Sequence, residues 1–168
     1  MNKTVIGEVS KDKDTSLRFR RSDRLCKMLA SAIAEEFTAY YQYVVPSRYL
    51  PNKLSNLFTK IAKDELDDHF HKLLDLMDSL GYDVSDLPSP FSMTTLSMAP
   101  YRKPVVPYLP SEVIHQNIMS EEDAINHYRE IARYAGTIGE LKVVKVIEEI
   151  LQDEVEHYEW LMQAKFEY

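Results

Sequence analysis

The chain is short of residues that break helices, cross-link the chain or enter a membrane. It has 4 glycines in 168 residues, and its long segments carry apolar residues at three-and-four spacing without the alternation typical of strands, which favours an all-helical fold. Its only cysteine, Cys26, excludes an internal disulfide and fits a reducing compartment. No apolar run is long enough for a signal peptide or a membrane span, so we expect a soluble, cytoplasmic protein without a membrane partner.

The size and charge of the chain indicate one domain that does not bind polyanions through its body. A chain of 168 residues with 45% hydrophobic residues can bury one substantial core. The formal net charge of -7 argues against nucleic acid as a partner. The exception is residues 1–21, which we interpret as a basic N-terminal arm that could touch nucleic acid. The basic residues of this arm are Lys3, Lys11, Lys13, Arg18, Arg20 and Arg21.

The apolar spacing predicts four helices in residues 22–168. Pro46 should end or kink the first helix, and Gly81 should cap the end of the second. The stretch between the second and third helices holds six of the 8 prolines and no periodicity, so it should be an extended crossover. The predicted ranges are about 23–46 for α1, 52–80 for α2, 81–110 for the crossover, 111–135 for α3 and 139–165 for α4. The fold class is therefore all-α: a four-helix bundle of two antiparallel helical hairpins joined by one long crossover, with no substantial fifth helix.

Each predicted helix carries an acidic residue on its otherwise apolar face. These are Glu36 in α1, Glu65 in α2, Glu121 in α3 and Glu154 in α4, where His157 follows three residues later. A bundle would bring these side chains together at similar depth, and repulsion and desolvation oppose several buried carboxylates unless cations neutralise them. The pattern is that of carboxylate-bridged di-iron bundles, which predicts a site for two metal ions.

Two tyrosines share the same helix faces. Tyr43 and Tyr128 each lie seven residues after an acid, Glu36 and Glu121 respectively, and hence two turns further along. We expect them either to hydrogen-bond to metal ligands or donate an electron, or simply to pack with satisfied hydroxyl groups. The other acids and histidines are interpreted as exposed. They are Glu35, Glu122, Glu148, Glu149, Glu156, Glu159, His71, His115 and His127.

Four segments of the chain resemble the motifs of one family. They are Glu36 to Tyr43, Asp64-Glu65 with Leu80-Gly81, Glu121 with Tyr128, and Asp153-Glu154 with His157 and Trp160-Leu161. Together they resemble the ferritin-like superfamily, closest to the bacterioferritins and their mini-ferritin relatives, over about residues 24–161. The α4 motif is the most specific of the four.

The resemblance implies a cofactor and a ligand set. It implies two iron ions per subunit, and manganese is also possible because it accepts the same ligands. The implied ligands are Glu36 and Glu121 as terminal carboxylates, Glu65 and Glu154 as bridging carboxylates, and one histidine from each of α2 and α4, the latter being His157. Bacterioferritins hold haem through a methionine between the α2 ligands. The residues between Glu65 and His69 are instead Leu66, Asp67 and Asp68, so we expect no haem.

Helix α2 departs from the family pattern, which has histidine three residues after the bridging glutamate. Asp68 occupies that position and His69 follows it. Counting back from Leu80-Gly81 instead aligns His69 with the family histidine, but leaves Leu66 in place of the glutamate. We favour Glu65 with His69, because residues four apart also share a helix face. Asp68 remains an alternative ligand.

The resemblance implies a ferroxidase that oxidises Fe(II) with O2 or H2O2, for iron storage, detoxification and protection against oxidative stress. Without a fifth helix, the expected homo-oligomer is a 12-subunit cage or a dimer. DNA-protecting mini-ferritins build their sites between subunits with ligands that this chain does not match. One alternative is a di-metal oxidase or peroxidase without storage, as in rubrerythrins or manganese catalases. Another is an assembly protein whose catalytic site has degraded.

Overall fold

The computed structural model describes residues 11–87 and 108–168, and the side chains of residues 24–85, 87 and 108–168. All regular secondary structure within these ranges is helical. Helix α1 spans Lys11–Ser47, α3 spans Pro110–Ile138 and α4 spans Leu141–Lys165. Helix α2 is continuous and has three segments, which are Asn52–Lys63, the π-helical Asp64–Phe70, and His71–Ser79. A 3-10 turn, Val84–Asp86, follows α2.

The largest difference from the predicted helix boundaries is at the start of α1. Helix α1 begins at Lys11 rather than near residue 23, so half of the predicted N-terminal arm of residues 1–21 is helical. No glycine or proline interrupts the chain between Lys11 and Pro46, and therefore nothing stops the helix earlier. Residues 1–10 and most of the predicted crossover, residues 88–107, lie outside the described residues. None of the helices that the structure describes is long and apolar enough to cross a membrane.

Glycines end α2 and α3 at sharp turns. Gly81 and Gly139 have φ of +80° and +83°, a conformation that other residues rarely adopt. At the first turn Tyr82 N donates to Met77 O at 3.1 Å, and at the second Glu140 N donates to Ala135 O at 3.0 Å. These are the bonds of a Schellman motif, which satisfies the last carbonyls of a helix. The cap predicted at Gly81 is present, and α3 continues three residues past its predicted end.

The apolar core consists of two clusters. The first contains the buried apolar residues between Leu25 and Ala34 of α1, together with Leu73, Ile131 and Ile147. The second contains Phe58, Ile114 and Leu161. Helices α1 and α4 meet the first cluster before the second along the chain, whereas α2 and α3 meet the second cluster before the first. Each helix therefore passes from one apolar cluster to the other. The acidic residue on the apolar face of each helix lies between the two clusters.

The π-helical segment of α2 accommodates one extra residue. Glu65 and His69 are four residues apart, whereas Glu154 and His157 on α4 are three apart, yet all four side chains are buried. A π-helical turn holds one residue more than an α-helical turn, so the insertion is absorbed where it occurs. The helix on both sides of it then keeps its apolar face towards the core.

Deleting Asp67 tests this interpretation of α2. Asp67 is exposed within the π-helical segment, and its removal leaves Glu65 and His69 three residues apart, as on α4. We expect the variant to fold with a melting temperature equal to or above that of the parent, because an α-helical turn replaces the π-helical one. Thermal unfolding followed by circular dichroism measures this.

The matched control deletes exposed Glu156 between Glu154 and His157 on α4. No π-helical turn absorbs that loss, so residues beyond it rotate by about 100°, and the protein should be strongly destabilised. Equal destabilisation of the two deletion variants would contradict this account of α2.

Candidate metal centre

Six ionisable side chains occupy the layer between the two apolar clusters, and each is at most 3% exposed. Every helix contributes to them at a position where the sequence places an acid among apolar residues. They are Glu36 from α1, Glu65 and His69 from α2, Glu121 from α3, and Glu154 and His157 from α4.

The six side chains form two overlapping groups that could each hold a metal ion. One group is Glu36, Glu65, His69 and Glu154, and the other is Glu65, Glu121, Glu154 and His157. Within each group the ligand atoms lie within 4.8 Å of one another. Because Glu65 and Glu154 belong to both groups, their two carboxylates lie between the two candidate metal positions. This is the arrangement of a carboxylate-bridged pair.

The histidines direct Nδ1 at the shared carboxylates. His69 Nδ1 lies 3.1 Å from Glu65 Oε2, 3.1 Å from Glu154 Oε1 and 3.4 Å from Glu36 Oε2. His157 Nδ1 lies 3.4 Å from Glu65 Oε1 and 3.6 Å from Glu154 Oε2. Each imidazole therefore offers one nitrogen to its own metal position.

The opposite ring nitrogens contact aspartates of the facing helix. His69 Nε2 lies 3.4 Å from Asp153 Oδ2, and His157 Nε2 lies 3.5 Å from Asp64 Oδ2. Contact with His69 lowers the pKa of Asp153 despite its partial burial. A carboxylate on the far nitrogen fixes the orientation of a ligating imidazole and makes it a better ligand. Both aspartates belong to the motifs that resemble the family, but their contacts with the histidines were not predicted from the sequence.

The two tyrosines donate to the acids across the bundle. Tyr43 Oη donates to Glu121 Oε1, and Tyr128 Oη donates to Glu36 Oε1. Burial, followed by the charge of the neighbouring carboxylate, raises the pKa of both phenols well above the usual value. Both hydroxyls therefore keep their protons and act as donors. Each one fixes one oxygen of a glutamate and leaves the other oxygen available.

Four polar atoms of the site are buried and lie 3.1–3.6 Å from an oppositely charged group, but none of them makes a hydrogen bond of good geometry. They are Glu36 Oε2, Glu65 Oε1, Glu154 Oε1 and His157 Nδ1. Burying such atoms unpaired is costly. All four belong to the groups described above, and carboxylate oxygens with imidazole nitrogens are ligands for divalent first-row metals. The residues present therefore fit a pair of metal ions.

Burial and mutual repulsion act on the acids of α1 and α3. Burial raises the pKa of Glu36 well above its ordinary value, and the charges of Glu65 and Glu154 raise it further. The same three causes raise the pKa of Glu121. A pair of cations would relieve both effects, because cations near the carboxylates favour their charged form.

The shared carboxylates and the histidines stabilise one another's charged forms. Burial raises the pKa of Glu65 and Glu154, but their contacts with His157 and His69 outweigh it and lower both values. Burial lowers the pKa of His157, but Glu154 and Glu65 raise it to about 12. The pKa of His69 is also raised, since four carboxylates outweigh burial. In the metal-free protein the two imidazolium ions thus supply the positive charge.

This charge state predicts that metal binding releases protons. With a pKa raised from 6.5 to about 12, protonated His157 stabilises the metal-free fold fully below pH 6.5, and this stabilisation is lost as the pH rises towards 12. A metal needs the neutral ring, so binding at neutral pH should release at least two protons, from His69 and His157, and the affinity should rise with pH. Glu36 and Glu121, whose pKa values are also raised, should add to this number. Adding Co2+ in weak buffer with a pH indicator measures the protons. An affinity that is constant between pH 6 and 8 would contradict the prediction.

Asp68, the alternative α2 ligand, lies at the edge of the site. Its Oδ2 accepts a hydrogen bond from Lys72 Nζ at 2.6 Å, and its side chain is 47% exposed. It forms a third, partly exposed group with His69 and Asp153. The structure thus brings His69, rather than Asp68, into the buried layer with Glu65.

The predicted exposure of Glu35 and His127 is wrong, whereas His71 and His115 are exposed as expected. Glu35 and His127 are 8% and 9% exposed, and Glu35 Oε2 lies 2.7 Å from His127 Nδ1. Ser31 Oγ also donates to Glu35 Oε1 at 3.1 Å. A second buried stripe on α1 explains the error, because its members repeat at helical spacing but are mostly polar. The stripe is Met28, Ser31, Glu35, Thr38 and Gln42.

Comparison with known proteins identifies the family. A solved dodecameric thioferritin, the bacterioferritin-related protein from Bacteroides fragilis, is 25% identical over 86% of both chains, with a TM-score of 0.80. A Rhodobacter capsulatus bacterioferritin is 22% identical over 87% of this chain and 86% of its own, with a TM-score of 0.72. Dps from Thermosynechococcus elongatus is 15% identical over 86% of this chain and 91% of its own, with a TM-score of 0.77. No curated protein sequence matches the chain. The family model of the ferritin-like domain matches residues 26–165, and the chain therefore belongs to the ferritin family.

Proposed function

We propose that the protein is a di-iron ferroxidase, which oxidises Fe(II) with O2 or H2O2 in iron storage and detoxification and thereby protects against oxidative stress. The observation that carries this proposal is the pair of buried groups that share Glu65 and Glu154. The unpaired atoms in these groups are carboxylate oxygens and an imidazole nitrogen, which suit iron and also manganese. An assembly protein with a degraded site would have no use for such costly groups.

In this proposal the six buried side chains are the metal ligands. Glu36 and His69 would hold one ion, Glu121 and His157 would hold the other, and Glu65 and Glu154 would contribute to both. Asp68 is not a ligand, because Lys72 already neutralises it. Each group then has one glutamate and one histidine of its own and shares two glutamates with the other, which is the pattern of known carboxylate-bridged di-iron bundles.

The reaction balances with two Fe(II) ions as substrate. Each ion gives up one electron, and the two electrons with two protons reduce O2 to H2O2, or reduce H2O2 to two water molecules. The residues of the chain hold the two ions next to each other. Tyr43 and Tyr128 keep Glu121 and Glu36 in place by hydrogen bonds. Because both phenols are buried beside the site, they can also donate an electron when an oxidant exceeds the available iron.

We further propose a homo-oligomer, a 12-subunit cage or a dimer, in a reducing cytoplasmic compartment. The dodecameric assembly of the Bacteroides fragilis relative supports the cage. The formal charge of -7 would draw cations to it. The order in which the four helices meet the two apolar clusters supports two antiparallel hairpins joined by one crossover. Nucleic acid would be a partner only through the basic N-terminal residues.

Anaerobic titration with Fe(II), followed by addition of O2, tests the proposal. We expect about two Fe(II) per subunit and rapid oxygen consumption. A protein that neither binds Fe(II) nor consumes oxygen would overturn the ferroxidase proposal. Size-exclusion mass separates a cage from a dimer. Ferric product that stays in solution with the protein supports storage. Oxidation without retained iron, or a preference for manganese, would instead favour a di-metal oxidase or peroxidase of the rubrerythrin or manganese-catalase type.

A further inference from the structure

The side of the site at His69 carries one more carboxylate than the side at His157. His69 Nε2 lies 3.4 Å from Asp153 Oδ2, and His157 Nε2 lies 3.5 Å from Asp64 Oδ2. Asp68 adds a second aspartate beside His69, and it forms with His69 and Asp153 a group whose ligand atoms lie within 4.8 Å of one another. Within the described residues, Asp64 and His157 are not part of a corresponding group.

The group of Asp68, His69 and Asp153 is open to solvent, unlike the two buried groups. The side chains of Asp68 and Asp153 are 47% and 40% exposed. A hydrated divalent cation can therefore approach them without crossing the apolar core. Two carboxylates beside an imidazole would attract such a cation by charge and by ligand type.

The ammonium of Lys72 already lies among these carboxylates. Lys72 Nζ lies 2.6 Å from Asp68 Oδ2 and 4.0 Å from Asp153 Oδ2. Lys72 follows Asp68 by four residues, so the two side chains share a face of α2. Its side chain is 32% exposed, less than that of either aspartate. A divalent ion bound to the two aspartates would lie close to this positive charge and be repelled by it.

One oxygen of Asp153 connects Lys72 to the proposed metal ligand His69. Asp153 Oδ2 contacts both His69 Nε2 and Lys72 Nζ. When Nδ1 of His69 binds a metal, Nε2 keeps its proton, and Asp153 can accept it and orient the ring. A cation coordinated by Asp153 would compete for that oxygen. The more distant ammonium neutralises charge without taking the oxygen from the histidine.

We propose that Lys72 is a positioning residue that keeps a third divalent cation off Asp68 and Asp153. It thereby limits the site to two ions and preserves the contact that orients His69. The inference rests on the ferroxidase function proposed above, because that function assigns His69 to a metal position. The extra aspartate on this side of the site thus comes with a cation that belongs to the chain.

Equilibrium dialysis of the metal-free protein against Co2+ measures the number of ions bound. The parent should bind about two per subunit, and K72Q should bind about three, with the affinity for the third at least about tenfold above that of the parent. K72R keeps the charge and should bind as the parent does. K142Q is the matched control, because it removes the same charge from an exposed position of α4 and should also bind as the parent does.

The double variant D68N/K72Q tests where the third ion binds. It removes one of the two carboxylates of the group and should return to the stoichiometry of the parent. Circular dichroism confirms folding, and K72M, which keeps the aliphatic part of the side chain, replaces K72Q if that variant is unstable. Parent-like stoichiometry in folded K72Q and K72M would overturn the inference, as would a third ion that persists in D68N/K72Q. Both results would leave the ferroxidase proposal intact.

Mg2+, which prefers oxygen ligands, tests the effect on His69. Mg2+ on Asp153 removes the acceptor that orients His69, and such acceptors contribute about 10- to 100-fold to metal affinity. Excess Mg2+ should therefore weaken Co2+ binding by at least about tenfold more in K72Q than in the parent. An equal effect of Mg2+ in both proteins would overturn the positioning role. A parent that binds neither Co2+ nor Fe(II) would overturn the ferroxidase proposal instead.

Discussion

The E65Q variant should bind fewer than one metal ion per subunit and lose rapid Fe(II) oxidation, by more than about 100-fold. Glu65 belongs to both buried groups, so its replacement removes a ligand from both metal positions together. Even residues that only orient metal ligands are worth about 10- to 100-fold, and a shared carboxylate should exceed this. Glutamine keeps the shape of the side chain, which separates loss of charge from loss of packing.

Equilibrium dialysis against Fe(II) under anaerobic conditions measures the stoichiometry of E65Q, and oxygen uptake measures its rate. H115A is the control, because His115 is exposed on α3 and should behave as the parent. An E65Q protein that still bound two ions and oxidised them rapidly would contradict the bridging role. The same measurements on Asp68→Asn should give parent-like values, because Asp68 pairs with Lys72 outside the buried layer.

Metal binding should raise the melting temperature by about 10 to 20 °C. A ligand that binds only the folded state at 100 times its Kd stabilises by about 2.7 kcal/mol, so two sites give about 5 kcal/mol. For a chain of this length each kcal/mol corresponds to about 2–4 °C. The physical origin is the cost of burying four glutamate side chains close together in the metal-free protein, where three of their oxygens lack a hydrogen bond.

Scanning calorimetry of anaerobic samples with excess chelator or with excess Co2+ measures this shift. The E65Q protein is the matched control, since its fold should be the same while its metal positions are disabled. A shift of similar size in E65Q would mean that Co2+ acts elsewhere on the protein, and the site as described would not be the cause.

The sequence was sufficient to find the acids of the site because they interrupt regular apolar spacing. Glu36, Glu65, Glu121 and Glu154 each occupy a core-facing position of a long helix, and the structure brings all four together. Burial of a charge against apolar neighbours is a strong departure from the usual pattern. A single such residue would carry little information. The coincidence in four helices is what predicted a common layer.

The α2 histidine was ambiguous because the local sequence does not distinguish a π-helical from an α-helical turn. The apolar runs on either side did contain the signal. Ile61 and Leu73 are 12 residues apart, which in a regular α-helix would place them about 120° apart. If they were 11 residues apart, the angle between them around the helix axis would be about 20°. Both side chains are fully buried. The need of both runs to face the core therefore places the extra residue between them, beside His69.

The buried pair of Glu35 and His127 was missed for a different reason. The residues of the second α1 stripe are polar, and polar residues are exposed in most helices. Their burial depends on contact with α3, a helix more than 70 residues away in the chain. Spacing within α1 alone could not show which polar stripe faces a neighbour. Only the arrangement of the helices decides this.

The contacts of one half of the site are repeated in the other half, and the exceptions should affect a protein that holds only one metal ion. Glu36, Tyr43, Asp64 and Glu65 make contacts that are repeated by Glu121, Tyr128, Asp153 and Glu154. This internal two-fold relation is broken at two places, by the π-helical turn of α2 and by the hydrogen-bonded pair of Glu35 and His127, whose counterparts are Ser120 and Gln42. We therefore expect the two proposed metal positions to differ in affinity. A protein given one equivalent of metal would then be mainly a single species with its ion at one defined position, and two-electron chemistry would begin only when the weaker position fills.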